Sequence, residues 1–417
     1  MQNTPKGLRL HIGIYGRRNA GKSSLLNRLV GQQAAIVSAT PGTTTDPVEK
    51  TIEFLPIGPV VFIDTAGIDD TGALGDLRRE KTLQAIDRTD VGLLVTETHT
   101  WGPYERQIAG LLRDRQIPFF AVLNKADLTV PTAEITQQLT AEGIDFRTAS
   151  ALTGEGLHGV RDRIVQAAPE AWFTPPRLLG DLLPAGELAV LVVPIDLGAP
   201  KGRIILPQIM AIRDILDSDA YCMVVKEREL KDALGRLNRK PSLVVCDSQV
   251  VLKTAADTPR DIPLTTFSIL MARFKGDLAT LLHGTSAIEH LRPGDRVLIA
   301  EACSHHPLAD DIGRVKIPRW LRQYAGGKIH TDVIAGPEFP ENLEDYKLII
   351  HCGGCMINRK NMLARIFYAR RSKVPITNYG LAIAYVQGVL PRVLEPFPAA
   401  KTVLEQGDRW LDFKDAM

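Results

Sequence analysis

The sequence predicts an α/β protein whose first domain has a mostly parallel sheet with flanking helices, followed by two smaller α/β domains. Three observations predict this fold class. Apolar segments of strand length alternate with segments of helical apolar spacing throughout the 417 residues. Glycine-rich turns directly follow several of these strands, as they do in βα units. A Pro- and Gly-rich segment at residues 168–186 interrupts the series, and the chain has room for two or three domains.

The first βα unit carries a phosphate-binding loop. The segment LRLHIGIY alternates like a strand, and SSLLNRLV has helical apolar spacing. Between them, GRRNAGKS has two glycines separated by four residues and then Lys22 and Ser23. Glycines let backbone N–H groups face phosphates at a helix N-terminus, the lysine reaches the outer phosphate oxygens, and the hydroxyl can ligate Mg²⁺. The predicted nucleotide and cation contacts of this loop are Gly16, Asn19, Ala20, Gly21, Lys22, Ser23 and Ser24.

Two further segments supply the rest of a phosphate and magnesium site. The motif DTAG follows the apolar run PVVFI, which places Asp64 at a strand end, where it can hold the magnesium shell through water. Gly67 can turn its N–H toward the last phosphate. In PGTTTDP, which lies between the two motifs, Thr44 is the predicted switch residue on magnesium, with Thr43 and Thr45 as alternatives.

A guanine-binding motif follows another buried strand. NKAD comes after PFFAVL and contains Asn124, Lys125 and Asp127. The Asp127 carboxylate can accept hydrogen bonds from both the ring N–H and the exocyclic amine of guanine, a donor pair that adenine lacks. The predicted nucleotide is therefore GTP. The predicted backbone contacts to the guanine oxygen come from Ser150, Ala151 and Leu152.

Three of the five cysteines belong to a metal-binding pattern. Cys303 begins the motif CSH directly after the strand RVLIAE, and HCGGC, with Cys352 and Cys355, follows the strand YKLII. Short loops at strand ends can aim such side chains at one point, and two thiolates separated by two residues can bind one metal or cluster. The other two cysteines, Cys222 and Cys246, lie in apolar runs and are predicted to be buried structural thiols.

Two kinds of metal site fit these ligands. A structural zinc would take three cysteines and one histidine. His305, His306 and His351 supply more donors than a closed zinc site needs, which favours a 4Fe–4S cluster held by three cysteines with one iron open to another ligand. The three histidines are predicted fourth ligands or hydrogen-bond donors to the cluster sulfurs.

The charge balance excludes some classes of partner. Fifty Lys and Arg oppose 48 Asp and Glu, so a net charge of +2 gives no electrostatic reason to expect nucleic acid or a membrane surface as a partner. The start MQNTPKGLRL has no apolar signal core, and the most apolar stretches are only of strand length. We expect a soluble, cytoplasmic protein with reduced thiols.

The predicted domain boundaries follow from the motifs and the interruption. Residues 1–170 form the nucleotide-binding domain, 171–262 a linker and a small α/β domain, and 263–417 the cysteine-bearing domain. In the last domain SILMARFKGDLATLLHG has the spacing of a helix. The basic run at residues 365–373 is predicted to be a solvated helix face that can also border the cluster.

The nucleotide motifs within the first 170 residues or so resemble bacterial GTPases grouped with the tRNA-modification and ribosome-assembly enzymes. The resemblance implies that Asn19 helps bind a K⁺ ion, which supplies the positive charge that an arginine finger provides elsewhere. The residue after DTAG is Ile68, whereas Ras-like proteins have a water-orienting Gln there. The resemblance therefore implies slow hydrolysis stimulated by potassium.

The full set of motifs resembles the HydF-type FeFe-hydrogenase maturation GTPases across the chain. The resemblance implies a P-loop GTPase domain, a small α/β dimerisation domain and an α/β metal-cluster-binding domain, in a protein that forms a homodimer. It also implies a 4Fe–4S cluster on Cys303, Cys352 and Cys355. Such proteins act as scaffolds that receive a transient diiron precursor from two radical-SAM maturases and deliver it to apo FeFe-hydrogenase. His306 stands where other members can offer a carboxylate.

A second class of function remains as an alternative. A GTP-dependent RNA-modification or ribosome-assembly factor with a structural zinc would share the nucleotide motifs. The near-neutral charge and the lack of an RNA-binding module such as a KH-type GxxG clamp count against it.

Overall fold

The computed structural model describes residues 4–31, 36–40, 47–65, 73–173, 176–194, 204–302, 311–336, 339–340 and 342–405. The chain forms two compact units, Met1–Pro175 and Pro176–Met417. Among the described helices, none combines the length and the apolar character that crossing a membrane requires.

The first unit is built on a seven-stranded sheet with the order β2-β3-β4-β1-β5-β6-β7. The pairs β2–β3 and β3–β4 are antiparallel and the other pairs are parallel. The strands are β1 Leu10–Tyr15, β2 Ile36–Thr40, β3 Val48–Phe54, β4 Gly58–Asp64, β5 Val91–Glu97, β6 Phe119–Asn124 and β7 Phe146–Thr148. The helices are α1 Lys22–Gly31, α2 Ala73–Ile86, α3 Pro103–Asp114, α4 Ala133–Ala141, α5 Leu157–Ala167 and α6 Glu170–Phe173.

Strand β1 is central because apolar side chains leave it on both faces. Ile12 and Ile14 belong to one hydrophobic core of the unit, and Tyr15 belongs to the other. Helix α1 covers the first core with Leu25 and Leu29, which are one helical turn apart. The strand order reverses at β1, which pairs with β4 on one side and β5 on the other. This reversal opens a crevice at the carboxyl end of β1.

The second unit contains two four-stranded sheets, both wholly parallel, with the orders β11-β10-β8-β9 and β13-β12-β14-β15. The strands are β8 Leu188–Val192, β9 Tyr221–Val225, β10 Leu243–Cys246, β11 Leu264–Thr266, β12 Arg296–Glu301, β13 His330–Ala335, β14 Leu348–His351 and β15 Ile376–Asn378. The helices are α7 Leu206–Leu216, α8 Leu230–Gly235, α9 Val251–Asp257, α10 Phe267–Lys275, α11 Leu278–Ser286, α12 Ile317–Tyr324, α13 Arg359–Arg371, α14 Tyr379–Val386, α15 Leu390–Val393 and α16 Pro398–Glu405. The two units confirm the predicted α/β fold class.

The last sheet brings two distant chain segments together. Strand β12 pairs with β13 on one side and with β14 on the other, so the strand order reverses between β12 and β14. In this register Ala300 lies opposite His351. The carboxyl ends of both strands therefore open on one crevice, which is the usual place for ligands in parallel sheets.

One predicted helix is two helices in the structure. In SILMARFKGDLATLLHG, α10 ends at Lys275 and α11 begins at Leu278. Between them, the Asp277 side chain accepts a hydrogen bond of 3.1 Å from the Ala279 N–H and thereby caps α11. Continuous apolar spacing concealed this break, because an aspartate that follows a glycine can start a new helix.

The segment predicted as a linker is partly built into the second unit. Leu178, Leu179 and Leu183 are buried in the core of that unit. The backbone N–H groups of Leu179 and Gly180 donate to Asp214 Oδ2 at 2.8 and 2.7 Å. The same core runs without interruption through both sheets of the unit, from Leu178 to Ala400.

The buried His11 on β1 predicts a pH dependence for the first unit. Burial lowers the pKa of His11 from 6.5 to about 4. Between pH 6.5 and 4 the unfolded chain binds a proton at this site and the folded chain does not. The free energy of unfolding therefore falls by about 3 kcal/mol across this range and is unaffected above it. Urea unfolding of the wild type and His11→Asn at pH 7 and pH 5 measures this effect, and an equal pH dependence in both proteins contradicts it.

Candidate functional site

The phosphate loop requires its two glycines. Gly16 has φ +149°, and a Cβ there would lie 2.1 Å from the Val95 carbonyl oxygen. Gly21 has φ +88°, and a Cβ there would lie 2.2 Å from Asn124 Nδ2. Asn19 also adopts a positive φ, of 61°. The loop thus follows a path that only small residues permit at its two ends.

Lys22 is held on the inner side of this loop. Its side chain is buried, and Nζ donates to the carbonyl oxygens of Gly16 and Arg17, both at 2.7 Å. The loop backbone thereby fixes the position of the ammonium group. A cation fixed in this way can meet the outer phosphate oxygens of a nucleotide.

Ser23 and Asp64 form the pair that fits a magnesium ion. Ser23 Oγ donates to Asp64 Oδ2 at 2.5 Å, and Asp64 Oδ1 is buried without a hydrogen-bond partner among the described residues. Burial raises the pKa of Asp64, while the Ser23 hydrogen bond and the charges of Lys22 and Lys50 oppose that rise. A hydroxyl beside a buried carboxylate that has a spare oxygen matches the hard oxygen ligands that Mg²⁺ takes.

Asn124 connects the phosphate loop to the predicted base-binding loop. Its side chain is almost wholly buried, and Nδ2 donates to the Ala20 carbonyl at 2.9 Å. Its Oδ1 accepts from the Ala151 N–H at 3.0 Å. The amide therefore fixes the distance between the two loops.

The remaining base-site residues lie together around Asp127. The exposed Asp127 carboxylate accepts a hydrogen bond from the buried Ser150 hydroxyl. Lys125 adopts φ 64° and forms an ion pair with Glu97. Leu152 is 77% exposed beside them. The structure thus brings Asn124, Lys125, Asp127, Ser150, Ala151 and Leu152 together, and Thr44, Gly67 and Ile68 lie outside the described residues.

An ion pair that sequence reasoning missed supports the phosphate loop. Arg17 Nε and Nη2 donate to Glu105 Oε1 and Oε2 at 2.8 and 3.0 Å, and the Gly102 N–H also donates to Glu105 Oε2. Glu105 is fully buried on α3, where it shares a face with Ile108 and Leu112. Its place on that apolar face, three and seven residues before them, is the signal that could have revealed it.

The second cysteine motif lies at the crevice of the last sheet, in contact with the end of the segment that leads to the first motif. Cys352 and Cys355 lie in the loop between β14 and α13, and the Ala302 N–H donates to Cys352 Sγ at 3.1 Å. Ala302 directly precedes Cys303. The described residue next to the first motif therefore contacts a cysteine of the second motif. Cys303, His305 and His306 themselves lie outside the described residues, and the described part of the chain contains no group of three or more His, Cys, Asp or Glu placed to hold a metal.

The surroundings of Cys352 suit a sulfur ligand. Burial raises the pKa of the Cys352 thiol, while backbone N–H groups of Gly354 and Ala302 and the Arg365 charge oppose that rise. Backbone N–H donors to sulfur are characteristic of iron–sulfur sites, where they stabilise the charge on the cluster. The donor set in the described residues therefore fits a thiolate-bound metal cluster.

His351 is fully occupied by hydrogen bonds within the protein. Nδ1 lies 2.6 Å from the Cys352 carbonyl oxygen, and Nε2 lies 2.9 Å from Arg365 Nη1. A carbonyl only accepts and an arginine only donates, so Nδ1 carries the proton and Nε2 accepts. Burial, aided by the Arg365 charge, lowers the pKa of His351 to about 3 and keeps the ring neutral. While these bonds hold, neither ring nitrogen has a free lone pair for iron.

Arg365 departs from the prediction of a solvated basic face. It is 2% exposed, on the same face of α13 as Met362 and Ala369. Only the exposed members of the run at residues 365–373, such as Arg371, follow the prediction. The remaining two cysteines also differ from each other: Cys246 is fully buried, as predicted, whereas Cys222 on the edge strand β9 is only half-buried.

Three family models match the chain. A model described as hydrogen maturase F dimerization domain matches residues 178–276, one described as hydrogen maturase F tetramerization domain matches 279–396, and one described as 50S ribosome-binding GTPase matches 11–125. The first two together match more than half of the chain. The fold and its loops thus define a P-loop GTPase unit joined to an α/β unit with a cysteine motif. The chain belongs to the family of HydF-type maturation GTPases.

Curated relatives are GTPases that share part of the chain. GTPase Der of Campylobacter jejuni strain 81-176 is 34% identical over 168 residues, which cover 38% of this chain and 36% of that protein. GTPase Der of Chloroflexus aurantiacus strain J-10-fl is 44% identical over 124 residues, 28% of this chain and 27% of that protein. GTPase Era of Lactobacillus delbrueckii subsp. bulgaricus is 32% identical over 175 residues, 41% and 58% respectively. The chain spans about a third of the length of the Der relatives.

Two solved structures match part of the chain at low TM-scores. A single-site variant of Aquifex aeolicus Era, bound to GDP and AlF4⁻, has 22% identity and a TM-score of 0.33, and the match covers 52% of this chain and 92% of that chain. The G domain of the T. maritima FeoB iron transporter has 21% identity and a TM-score of 0.31, with 39% and 99% covered.

Proposed function

We propose that this protein is a GTP-hydrolysing carrier in FeFe-hydrogenase maturation, with a nucleotide site in its first unit and a 4Fe–4S cluster in its second. One observation carries the proposal. A phosphate loop and a cysteine motif occur in one chain, and each follows a strand at which the order of a parallel sheet reverses. The family models support a role in hydrogenase maturation.

GTP with Mg²⁺ is the proposed nucleotide complex of the first unit. Lys22 would contact the outer phosphate oxygens, and Ser23 and Asp64 would hold the magnesium shell. Asp64 Oδ1 is a buried carboxylate oxygen with no hydrogen-bond partner among the described residues. Thr44 and Gly67 complete the proposed set as switch residue and γ-phosphate contact. When bound, Mg²⁺ would supply positive charge beside the phosphates, and Lys22 would hold their outer oxygens in place.

The base preference provides a direct test of this assignment. We expect Asp127→Asn to lower the affinity for GTP by about 100-fold and to favour xanthosine triphosphate, because an amide donates where the carboxylate accepted twice. Competition of both nucleotides against a fluorescent analogue measures the preference. Ser150→Ala serves as the control, since it removes the hydroxyl that contacts Asp127 and leaves the carboxylate. An unchanged preference for GTP in Asp127→Asn contradicts the assignment.

Potassium is the proposed second cation of the nucleotide site. Asn19 lies in the phosphate loop with a positive φ, next to the backbone that would face the phosphates. Its amide oxygen can ligate a monovalent cation there, and the cation adds positive charge beside the transferred phosphoryl group. Turnover measured in potassium and in sodium chloride tests this part, and equal rates contradict it.

The cluster of the second unit is proposed to rest on Cys303, Cys352 and Cys355. The Ala302 N–H bond to Cys352 Sγ and the meeting of β12 with β14 support this ligand set. His305 and His306 are the proposed fourth ligand or sulfur donors. For His351 the two hydrogen bonds favour a supporting role. When bound, the cluster supplies an iron that can accept an exchangeable ligand.

The protein is proposed to receive its transient diiron precursor from two radical-SAM maturases and to pass it to apo FeFe-hydrogenase. The precursor is cargo, and the resident cluster is the group to which it would attach. A structural zinc in place of the cluster is the alternative, and it would make a GTP-dependent RNA-modification or ribosome-assembly factor the better interpretation. Zinc and iron analysis separates the two.

Self-association is proposed through the small sheet that ends in β9. This strand lies at the edge of its sheet, and Tyr221 and Val224 on it are 64% and 46% exposed. Unpaired edge strands with apolar side chains can pair with another copy. The match to a dimerization domain over residues 178–276 supports a homodimer formed here. The boundary at residue 262 between this region and a cluster domain, 263–417, stays a proposal.

A further inference from the structure

We propose that Arg365 is the internal counter-cation of the cluster site: it stabilises the negative charge of a thiolate-bound cluster and makes the cluster easier to reduce. This inference rests on the proposed cluster. It assigns a role to a residue of α13 that lies outside the cysteine and histidine motifs.

The buried Arg365 charge has no carboxylate paired with it among the described residues. Its guanidinium is buried, Nη2 donates to the Gly336 carbonyl at 2.7 Å, and Nη1 donates to His351 Nε2 at 2.9 Å. Arg365 Nε has no hydrogen-bond partner among the described residues, and the Phe339 ring centroid lies 5.3 Å from the guanidinium carbon. Burial lowers the pKa of Arg365 only to about 10, so the group is charged at neutral pH. Among the described residues, no carboxylate forms an ion pair with it.

A buried charge of this kind lowers the stability of the folded protein. Burying an unpaired ion costs several kcal/mol, and neutral hydrogen bonds offset that cost only in part. A buried acid at this end of the sheet, Glu301, is already paired with Arg314, whose Nη2 donates to Glu301 Oε2 at 3.0 Å. Among the described residues, Arg365 therefore carries a buried positive charge that has no anion paired with it.

The anion that we assign to Arg365 is the thiolate-bound cluster. Arg365 is joined to Cys352 through His351: Arg365 Nη1 donates to His351 Nε2 at 2.9 Å, and His351 Nδ1 lies 2.6 Å from the Cys352 carbonyl oxygen. A four-iron cluster on three thiolates is an anion in both redox states, and it gains one more negative charge on reduction. A cation fixed beside it favours the reduced form, because the attraction grows with the charge of the cluster.

Arg365 also fixes the position of the cysteine loop. Arg365 can only donate and therefore fixes His351 with its proton on Nδ1, which in turn holds the Cys352 carbonyl. At the other end of the same loop, the buried Lys275 donates to the Ile357 carbonyl at 2.6 Å. The cysteine loop is thus held between two cationic side chains. Arg365 is a positioning residue whose charge also bears on the cluster.

Two substitutions separate the charge from the hydrogen bonds. Arg365→Gln keeps an N–H donor without the charge, and Arg365→Lys keeps the charge without the planar fork. Arg371→Met removes an exposed charge from the end of the same helix and is the control. The full-length proteins are reconstituted with iron and sulfide, and reduction is followed by EPR at controlled potentials.

We expect Arg365→Gln to lower the ratio of reduced to oxidised cluster at least tenfold at a fixed potential, equivalent to about 59 mV for one electron. Arg365→Lys and Arg371→Met should stay within about threefold of the wild type. A role in packing alone would shift Lys and Gln alike, and that result overturns the proposal. If Arg365→Gln does not fold, Arg365→Lys decides, since a tenfold loss with the charge retained also overturns it.

The wild type distinguishes this inference from the proposed function. A wild-type protein without iron and sulfide after reconstitution contradicts the cluster and, with it, the role of Arg365. A loaded wild type whose potential equals that of Arg365→Gln contradicts the role of Arg365 and leaves the cluster in place.

Discussion

We expect Cys352→Ser to empty the proposed cluster site and to leave GTP hydrolysis intact. Serine offers a hydroxyl that binds iron poorly at neutral pH, and two remaining thiolates hold a four-iron cluster weakly. Bound iron should fall from about four per chain to less than about one, and maturation of apo-hydrogenase should stop. Iron analysis and hydrolysis rates on the same preparation measure both effects. The same result is expected for Cys303→Ser and Cys355→Ser.

Two variants control this result. Cys222→Ser removes a half-buried thiol outside the motif and should keep its iron. His351→Ala should keep most of its iron, because both nitrogens of that ring are bonded to protein atoms. If His351→Ala loses its iron as completely as Cys352→Ser does, the three-cysteine assignment is wrong and a Cys/His zinc-like site is the better interpretation.

Lys22→Ala should lower the rate of GTP hydrolysis by at least about 100-fold. The Gly16 and Arg17 carbonyls fix the ammonium on the inner side of the loop, where it can contact the outer phosphate oxygens. The loss corresponds to about 3 kcal/mol of transition-state stabilisation. Lys6→Ala removes an equal charge from the same unit and should hydrolyse GTP at the wild-type rate. Wild-type turnover in Lys22→Ala removes this loop from the catalytic site.

Much of the fold and of the site is local and was readable in the sequence. The strand RVLIAE is β12 residue for residue, and the loop after β1 leads directly to the predicted lysine and serine at the start of α1. These features depend on alternation, on helical spacing and on glycines at positive φ, all of which act within a few residues.

The features that the sequence did not reveal depend on tertiary burial. Arg365 is charged and was predicted to be exposed, yet it lies on the stripe formed by Met362, Ile366 and Ala369. Its partner His351 is 14 residues away, and the Gly336 carbonyl is 29 residues away. Glu105 meets Arg17 across 88 residues. A charged residue within the apolar stripe of a helix can be recognised in the sequence. Its partner cannot, because the partner depends on which strands become neighbours in the fold.

Metal analysis is the decisive test of whether this chain combines a GTPase unit with an iron–sulfur site. The wild type is purified without oxygen, and iron, sulfide and zinc are measured per chain alongside GTP hydrolysis. We expect GTP turnover together with about four iron ions and about four sulfide ions per chain, and little zinc. About one zinc per chain with no sulfide, in a protein that still hydrolyses GTP, would contradict it.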